Sequence, residues 1–223
     1  YGQKHRIELT KAKFITNLLK SKKLDVIHKI IDISDAISIL DSSLTSANIK
    51  IPEGYYKEEN MKSTVVPNRN AIFLSFLYAN ALSLHKKYNK KIELSLGVHS
   101  GDHEIYPDCR LGFYNKIFDA FKEGNWHSEN INLYLPYINL NKGSIIKDAL
   151  QSCKNLNLDF NYIFGNTITS YNPNNKGVSD GRTASDIERI LAFNEVGIKD
   201  PLCYNQAWEV VLKHALKIEK TFN

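Results

Sequence analysis

The chain has 223 residues, 43% hydrophobic, 24% charged and 11% aromatic, which suits one α/β domain with a sizeable core and excludes a disordered, fibrous or repeat protein. Its formal charge of +5 is spread along the chain, leaning towards small anions such as phosphates. The densest patches, residues 20–23 and 85–91, fall where helices should end and read as solvated helix ends ahead of nucleic-acid contact. Cys109, Cys153 and Cys203 stand far apart without a C-x-x-C, the usage of a reducing, cytoplasmic compartment, and the longest apolar stretch, residues 71–84, falls short of the roughly 20 residues of a membrane span.

The chain begins YGQKHRIEL with no initiator Met, turn signal or strand ahead of it, so a natural N-terminal segment is expected to precede it. Within Gln3–Lys20, Leu9, Ala12, Ile15, Leu18 and Leu19 recur three or four residues apart, with Phe14 alongside, which predicts an amphipathic helix. The β-branched run VIHKIIDI, Val26–Ile33, predicts a buried strand. From Ser34 to Val66 the chain is polar and turn-rich, including an acidic YYKEEN, and reads as a long active-site loop. Pro67 then leads into Arg69–His85, apolar almost all round, the pattern of a core helix.

Lys91–Val98 is the next predicted strand, and SGDHEIYPDCR, Ser100–Arg110, starts at its C-terminal end. Phe113, Ile117, Phe118 and Phe121 space a helix over Phe113–Glu123; a strand over Ile131–Ile138 and a helix over Lys142–Lys154 follow. Ile163–Ile168 is a short apolar run, and Ser170–Gly181 is a loop rich in Asn, Gly, Ser and Pro. A helix from about Thr183 to Val196 precedes a last amphipathic helix, Asn205–Phe222, with Trp208, Val211, Leu212, Ala215 and Ile218 on one face. Helices alternating with β-branched strands predict a mostly parallel sheet with helices on both faces, in a single domain over residues 1–223. In such sheets ligands bind beyond the carboxyl ends of the strands, where SGDHEIYPDCR lies.

That stretch admits three chemistries. His99, Asp102, His103 and Asp108 are plausible metal ligands, although H-x-x-D-H is not a recognised metal spacing. Cys109 is a nucleophile if Arg110 and the next helix lower its pKa, and otherwise a small buried wall residue. As a substrate loop, Gly101 lets backbone approach a ligand, Asp102 and Asp108 accept from N–H donors, and Arg110 grips a carboxylate or phosphate in bidentate fashion. The second candidate is TVVPNRNAIFLS, Thr64–Ser75. Asn68, Arg69 and Asn70 sit at the N-terminus of the core helix, where unsatisfied N–H groups favour anions; the alternative is a helix cap by Asn68 with a salt-bridged Arg69.

Four segments taken in order, YGQKHRIEL, EENMKSTVVPNRNAIFLS, GVHSGDHEIYPDCR and FNEVGIKDPL, resemble the 7-cyano-7-deazaguanine synthase (QueC) family over essentially the whole chain. The resemblance implies an adenine-nucleotide α-hydrolase-like, PP-loop fold of the Rossmann-like kind. It implies an ATP- and magnesium-dependent conversion of 7-carboxy-7-deazaguanine and ammonia to the nitrile, in queuosine precursor synthesis for tRNA modification. On it, Asp102, His103, Asp108 and Arg110 are the expected catalytic residues, and Asn68, Arg69, Asn70, Gly101 and Tyr106 the substrate- or nucleotide-binding ones. Small molecules are the expected partners, with no membrane, no direct nucleic acid, and compatibility with a homodimer.

Two departures from the family pattern stand out. The glycine-rich S-G-G-x-D-S turn that cradles pyrophosphate does not occur in these 223 residues, nor, on this reading, does the N-terminal strand ahead of it. The family's four zinc cysteines correspond to Ser170, Asp180, Thr183 and Asp186, which cannot make a Cys₄ site. Residues 170–223 are thus expected to be a zinc-less equivalent of the family's zinc subregion, with Thr183 and Asp186 forming a T-x-x-D capping box instead. Besides the synthase, two alternatives follow: an impaired paralogue that binds deazaguanine or nucleotide, and an enzyme that transfers the activated deazaguanine to another acceptor.

Overall fold

The computed structural model describes residues 2, 6–46, 48–54, 59–103, 105–174 and 176–222. Among the described residues eight α-helices and two strands follow in order: α1 (Ile7–Ser21), α2 (Ser34–Ile37), α3 (Arg69–Tyr88), β1 (Ile92–Ser95), α4 (Leu111–Glu123), β2 (Ile131–Tyr134), α5 (Lys142–Asn155), α6 (Phe160–Phe164), α7 (Ala184–Val196) and α8 (Trp208–Phe222). The fold is a helix-rich α/β arrangement with a parallel sheet. That sheet has two described strands, in the register Ile92↔Ile131 to Ser95↔Tyr134. The chain divides into two compact units, residues 67–142 and residues 1–66 with 143–223.

In the 67–142 unit the core joins Leu74, Tyr78 and Ala81 of α3, Leu94 of β1, Tyr114 and Phe118 of α4, and Ile131 of β2. Residues 71, 74, 78 and 81 repeat at the helical period, so α3 buries one stripe and leaves Phe76 and Leu77 partly exposed. The all-round apolar pattern of this helix therefore overstates its burial. Tyr78 meets Phe118 edge-on at 5.3 Å and Phe121 at 5.0 Å, contacts that add about 0.5–1.5 kcal/mol per pair beyond area burial. Helix α3 ends at Asn89 in the left-handed region, with His85, Lys86 and Lys87 in its last turn. The basic patch there is a helix end.

In the other unit, Ile187 and Ile190 of α7 pack on Val211 and Ala215 of α8, on the face predicted for the last helix. A second cluster joins Ile146 of α5 to Ala192 and Phe193 of α7, with Phe160, Phe164 and Trp208 against it. Beneath these helices lies a buried ion pair. Arg189 donates from Nε to Asp200 Oδ2 at 2.6 Å and from Nη2 to Asp200 Oδ1 at 2.9 Å. Arg189 also bonds Thr167 and the Phe164 carbonyl, while Asp200 accepts from Leu202 N and Tyr204 Oη.

Two predicted elements are corrected and one unassigned run is placed. Val26–Ile33 forms no strand: the segment is irregular, with Ile27 79% and Ile30 59% exposed, because β-branched residues favour a strand only against a neighbouring one. The apolar run Ile163–Ile168 falls at the end of α6 and the turn after it. Asp159 caps that helix by accepting from Tyr162 N at 3.0 Å, and Phe160 stacks on Phe164 one turn later at 4.3 Å. Ser34–Val66, expected as a long active-site loop, carries α2 and a 3₁₀ turn over Glu59–Thr64. It buries Ile37, Ser43, Leu44, Met61, Thr64 and Val66; residues 55–58 of YYKEEN lie outside the described residues.

Candidate active site

The two motifs singled out in the sequence meet inside the 67–142 unit. Strands β1 and β2 run parallel, so both carboxyl ends lie on one edge. The chain after β1 is pinned there by Ser100, whose N and Oγ both donate to the Leu140 carbonyl at 2.9 Å. Ser100–Arg110 then folds as two 3₁₀ turns, Ser100–His103 and Pro107–Cys109. Tyr106 N donates to the Asp102 carbonyl and Cys109 N to the Tyr106 carbonyl, which coils the segment back on itself.

VPNRN comes to this loop through Asn70. Its backbone N–H, in the first turn of α3, donates to Asp108 Oδ2 at 3.3 Å, and its Nδ2 donates to the Asp108 carbonyl and to Cys109 Sγ, both at 3.3 Å. The helix N-terminus does attract an anion, and that anion is the Asp108 carboxylate. Asn68, the cap in the alternative reading, occupies the N-cap position in the left-handed region (φ 58°) with no side-chain capping bond; Asp108 satisfies Asn70 N in the first turn of α3 from 38 positions along the chain. The Arg69 guanidinium lies 5.8 Å from the centre of the Tyr106 ring, within cation–π range.

His99 is buried and accepts from Gly101 N at its Nδ1, 3.1 Å away. Its proton therefore sits on Nε2, which faces Asp102 Oδ2 at 3.5 Å. Gly101 thus supplies a backbone donor to His99. Arg110 is exposed, and its Nε donates to the His103 carbonyl at 2.8 Å. His103 presents a buried Nε2 with no hydrogen-bond partner among the described residues. Glu104, between His103 and Ile105, lies outside them.

Cys109 is resolved by its surroundings. Burial pushes its thiol up to about 12, and the Asp102 and Asp108 charges push the same way against Arg69 and Asn70. It is a protonated wall residue at neutral pH, not a thiolate nucleophile. Sequence reasoning missed Tyr114, which is fully buried beneath the loop with an Oη lacking a described partner. Burial raises its phenol first, then the Cys109, Asp108 and Asp102 charges. Its position one turn before Phe118 was the available signal.

No three His, Cys, Asp or Glu residues among those described lie close enough together to hold a metal ion. Asp102 and Asp108 are the two aspartates of this loop, and magnesium, which keeps its waters, takes only one or two carboxylates from protein. No described helix is long and apolar enough to cross a membrane.

The family model for "Queuosine biosynthesis protein QueC" matches residues 1–197. The chain is 40% identical over 205 residues to the 7-cyano-7-deazaguanine synthase of Psychromonas ingrahamii, covering 92% of this chain and 83% of that protein. It is also 40% identical over 204 residues to 7-cyano-7-deazaguanine synthase 1 of Colwellia psychrerythraea and to the synthase of Caldicellulosiruptor saccharolyticus, covering 84% and 81% of those proteins. No solved structure matches the chain. With the family model matching nearly the whole chain and relatives this similar across most of their own length, the chain belongs to the QueC family.

Proposed function

We propose that this chain carries the substrate-binding part of a 7-cyano-7-deazaguanine synthase, which joins ATP, ammonia and 7-carboxy-7-deazaguanine to give the nitrile. One observation supports it above the others: Asn70 bonds Asp108 and Cys109, so VPNRN and YPDCR form one site at the carboxyl edge of the sheet. A carboxylate is a poor electrophile until adenylation supplies a leaving group. Ammonia then displaces AMP to form the amide, and a second activation lets the amide lose water to become the nitrile.

In this reading Arg110 grips the deazaguanine carboxylate, because its side chain is exposed and steadied at Nε by the His103 carbonyl. Asp102 orients the His99 imidazole and accepts from a ring N–H, and Asp108 would hold a magnesium ion, which would supply charge neutralisation for phosphate. Arg69, held over Tyr106, neutralises the developing phosphate charge at the helix N-terminus, with Asn68 beside the nucleotide. Closing Gly101 and Tyr106 around the bicyclic ring excludes water, and His103 offers its buried Nε2 to the substrate. The named relatives are all synthases, which favours this reading over a binding paralogue or transfer to another acceptor.

The pyrophosphate-binding turn this chemistry requires is not among these 223 residues, so the test uses the full-length protein. Incubated with ATP, ammonia and 7-carboxy-7-deazaguanine, it should convert the acid to a product of the nitrile's mass with release of AMP. Unchanged acid, or AMP release without nitrile, overturns the proposal.

A further inference from the structure

The family resemblance implies zinc held by cysteines at positions that here are Ser170, Asp180, Thr183 and Asp186, and the structure shows whether these residues suit a metal. Asp186 is fully buried. Its Oδ2 accepts from Ser170 Oγ at 2.8 Å, Thr183 Oγ1 at 2.5 Å and Thr183 N at 3.2 Å, and its Oδ1 accepts from Ser179 Oγ at 2.6 Å. Three hydroxyl protons and one amide proton thus point at one carboxylate. Zinc would need those oxygens turned round and Asp186 stripped of its donors, and neutral hydroxyls do not repay that. Asp180 stands outside the cluster, its Oδ1 accepting from Arg182 N at 3.0 Å in a local turn. The residues do not fit zinc.

We propose that Ser170, Ser179, Thr183 and Asp186 form a hydroxyl–carboxylate knot that replaces the family's metal, so that this part of the chain folds independently of zinc and of thiol oxidation. Each member fastens a different stretch. Ser170 anchors the start of the loop, and its Oγ also accepts from Asn172 N. Thr183 caps α7 in a reciprocal capping box with Asp186, as the T-x-x-D spacing predicts. Ser179 ties the middle of the loop to the approach to α8: its carbonyl accepts from Asn205 N at 2.9 Å, and it bridges to Tyr204.

Gly181 lets the chain pass between Ser179 and Thr183. Its φ is +77°, and a Cβ there would meet Val211 at 3.1 Å. All four knot side chains are 3% exposed or less, so water does not compete for the donors, as it would for a surface cluster. Ser179, one place before the matched position 180, is the member that comparison with the zinc pattern alone overlooks.

The full-length protein, purified from zinc-supplemented medium, should carry zinc well below one atom per chain and melt at the same temperature with or without a strong chelator. Ser179→Ala should lower Tm by about 4–15 °C, the loss of a buried hydrogen bond to a charged group together with the one Ser179 Oγ accepts from Gly181 N. Asp180→Ala should lower it by no more than about 2 °C, the effect of a surface change. About one zinc per chain together with a chelator-sensitive Tm, or Asp180→Ala costing as much as Ser179→Ala, overturns the knot. Neither outcome depends on whether the protein makes nitrile.

Discussion

Replacing Asp200 with Ala should be among the most damaging single changes in this chain, for reasons its surroundings make quantitative. The Arg189 and Asp200 side chains are 4% and 0% exposed. The substitution strands a buried guanidinium with only Thr167 and the Phe164 carbonyl to accept from it, and it removes the acceptor of Leu202 N and Tyr204 Oη. Removing one partner of a buried ion pair costs about 3–5 kcal/mol, a large share of a typical stability of about 5–15 kcal/mol. For a chain of this length the drop in Tm is roughly 6–20 °C.

Urea unfolding followed by tryptophan fluorescence measures the loss in the right place, because Trp208 packs in the α7–α8 core while Trp126, the other tryptophan, is 90% exposed. Arg189→Met should cost a similar amount, and the double variant far less than the sum of the two. The coupling should be about 2–3 kcal/mol. Strict additivity, or a cost for Asp200→Ala below about 1 kcal/mol, would refute the reasoning.

Three further outcomes are expected. A thiol reagent at pH 8 should label exposed Cys203 rapidly and leave Cys109 unlabelled until the chain unfolds, because a thiol pushed up to about 12 is neutral below that pH and becomes a thiolate only above it; rapid labelling of Cys109 in the native protein would contradict its burial. Arg110→Ala and Arg110→Lys should both lower kcat/KM for the carboxylate substrate by about 10–100-fold, since a lysine cannot reproduce a bidentate grip; a lysine variant with full activity would argue for simple charge. Asn68, at φ 58°, should tolerate Gly and lose about 1–2 kcal/mol of stability on replacement by Val, as read by urea titration; equal costs for both would show that the left-handed backbone is not what selects Asn.

Helices with a clear apolar stripe were legible in the sequence, and α8 buries Val211 and Ala215 on the face the spacing indicates. Strands were less so, because four extended residues owe their state to a neighbour. Ile92–Ser95 and Ile131–Tyr134 pair with each other, while Val26–Ile33, of equal β propensity, pairs with nothing described. Helix α6 was hidden by its apolar composition, although Asp159 ahead of it is a good N-cap residue. In the candidate site, residue types were legible and partnerships were not. No local pattern announces that Asn70 will bond a residue 38 positions away.

Three aspartates show why residue type alone under-determines role. Asp108, Asp180 and Asp186 all lie in motif segments, and as letters they are interchangeable ligands or bases. Asp108 is half-buried and already holds the first turn of α3, so its remaining oxygen alone is available for chemistry. Asp180 spends one oxygen on its own turn. Asp186 has both oxygens filled by four donors and no exposure; burial pushes its carboxyl above the ordinary value, with Ser179, Thr183 and Ser170 pulling against that shift. A carboxylate saturated with donors is structure, and one with an oxygen left over is a candidate for catalysis. That distinction separates Asp108, which has one oxygen bonded to the first turn of α3, from Asp186, which has none to spare.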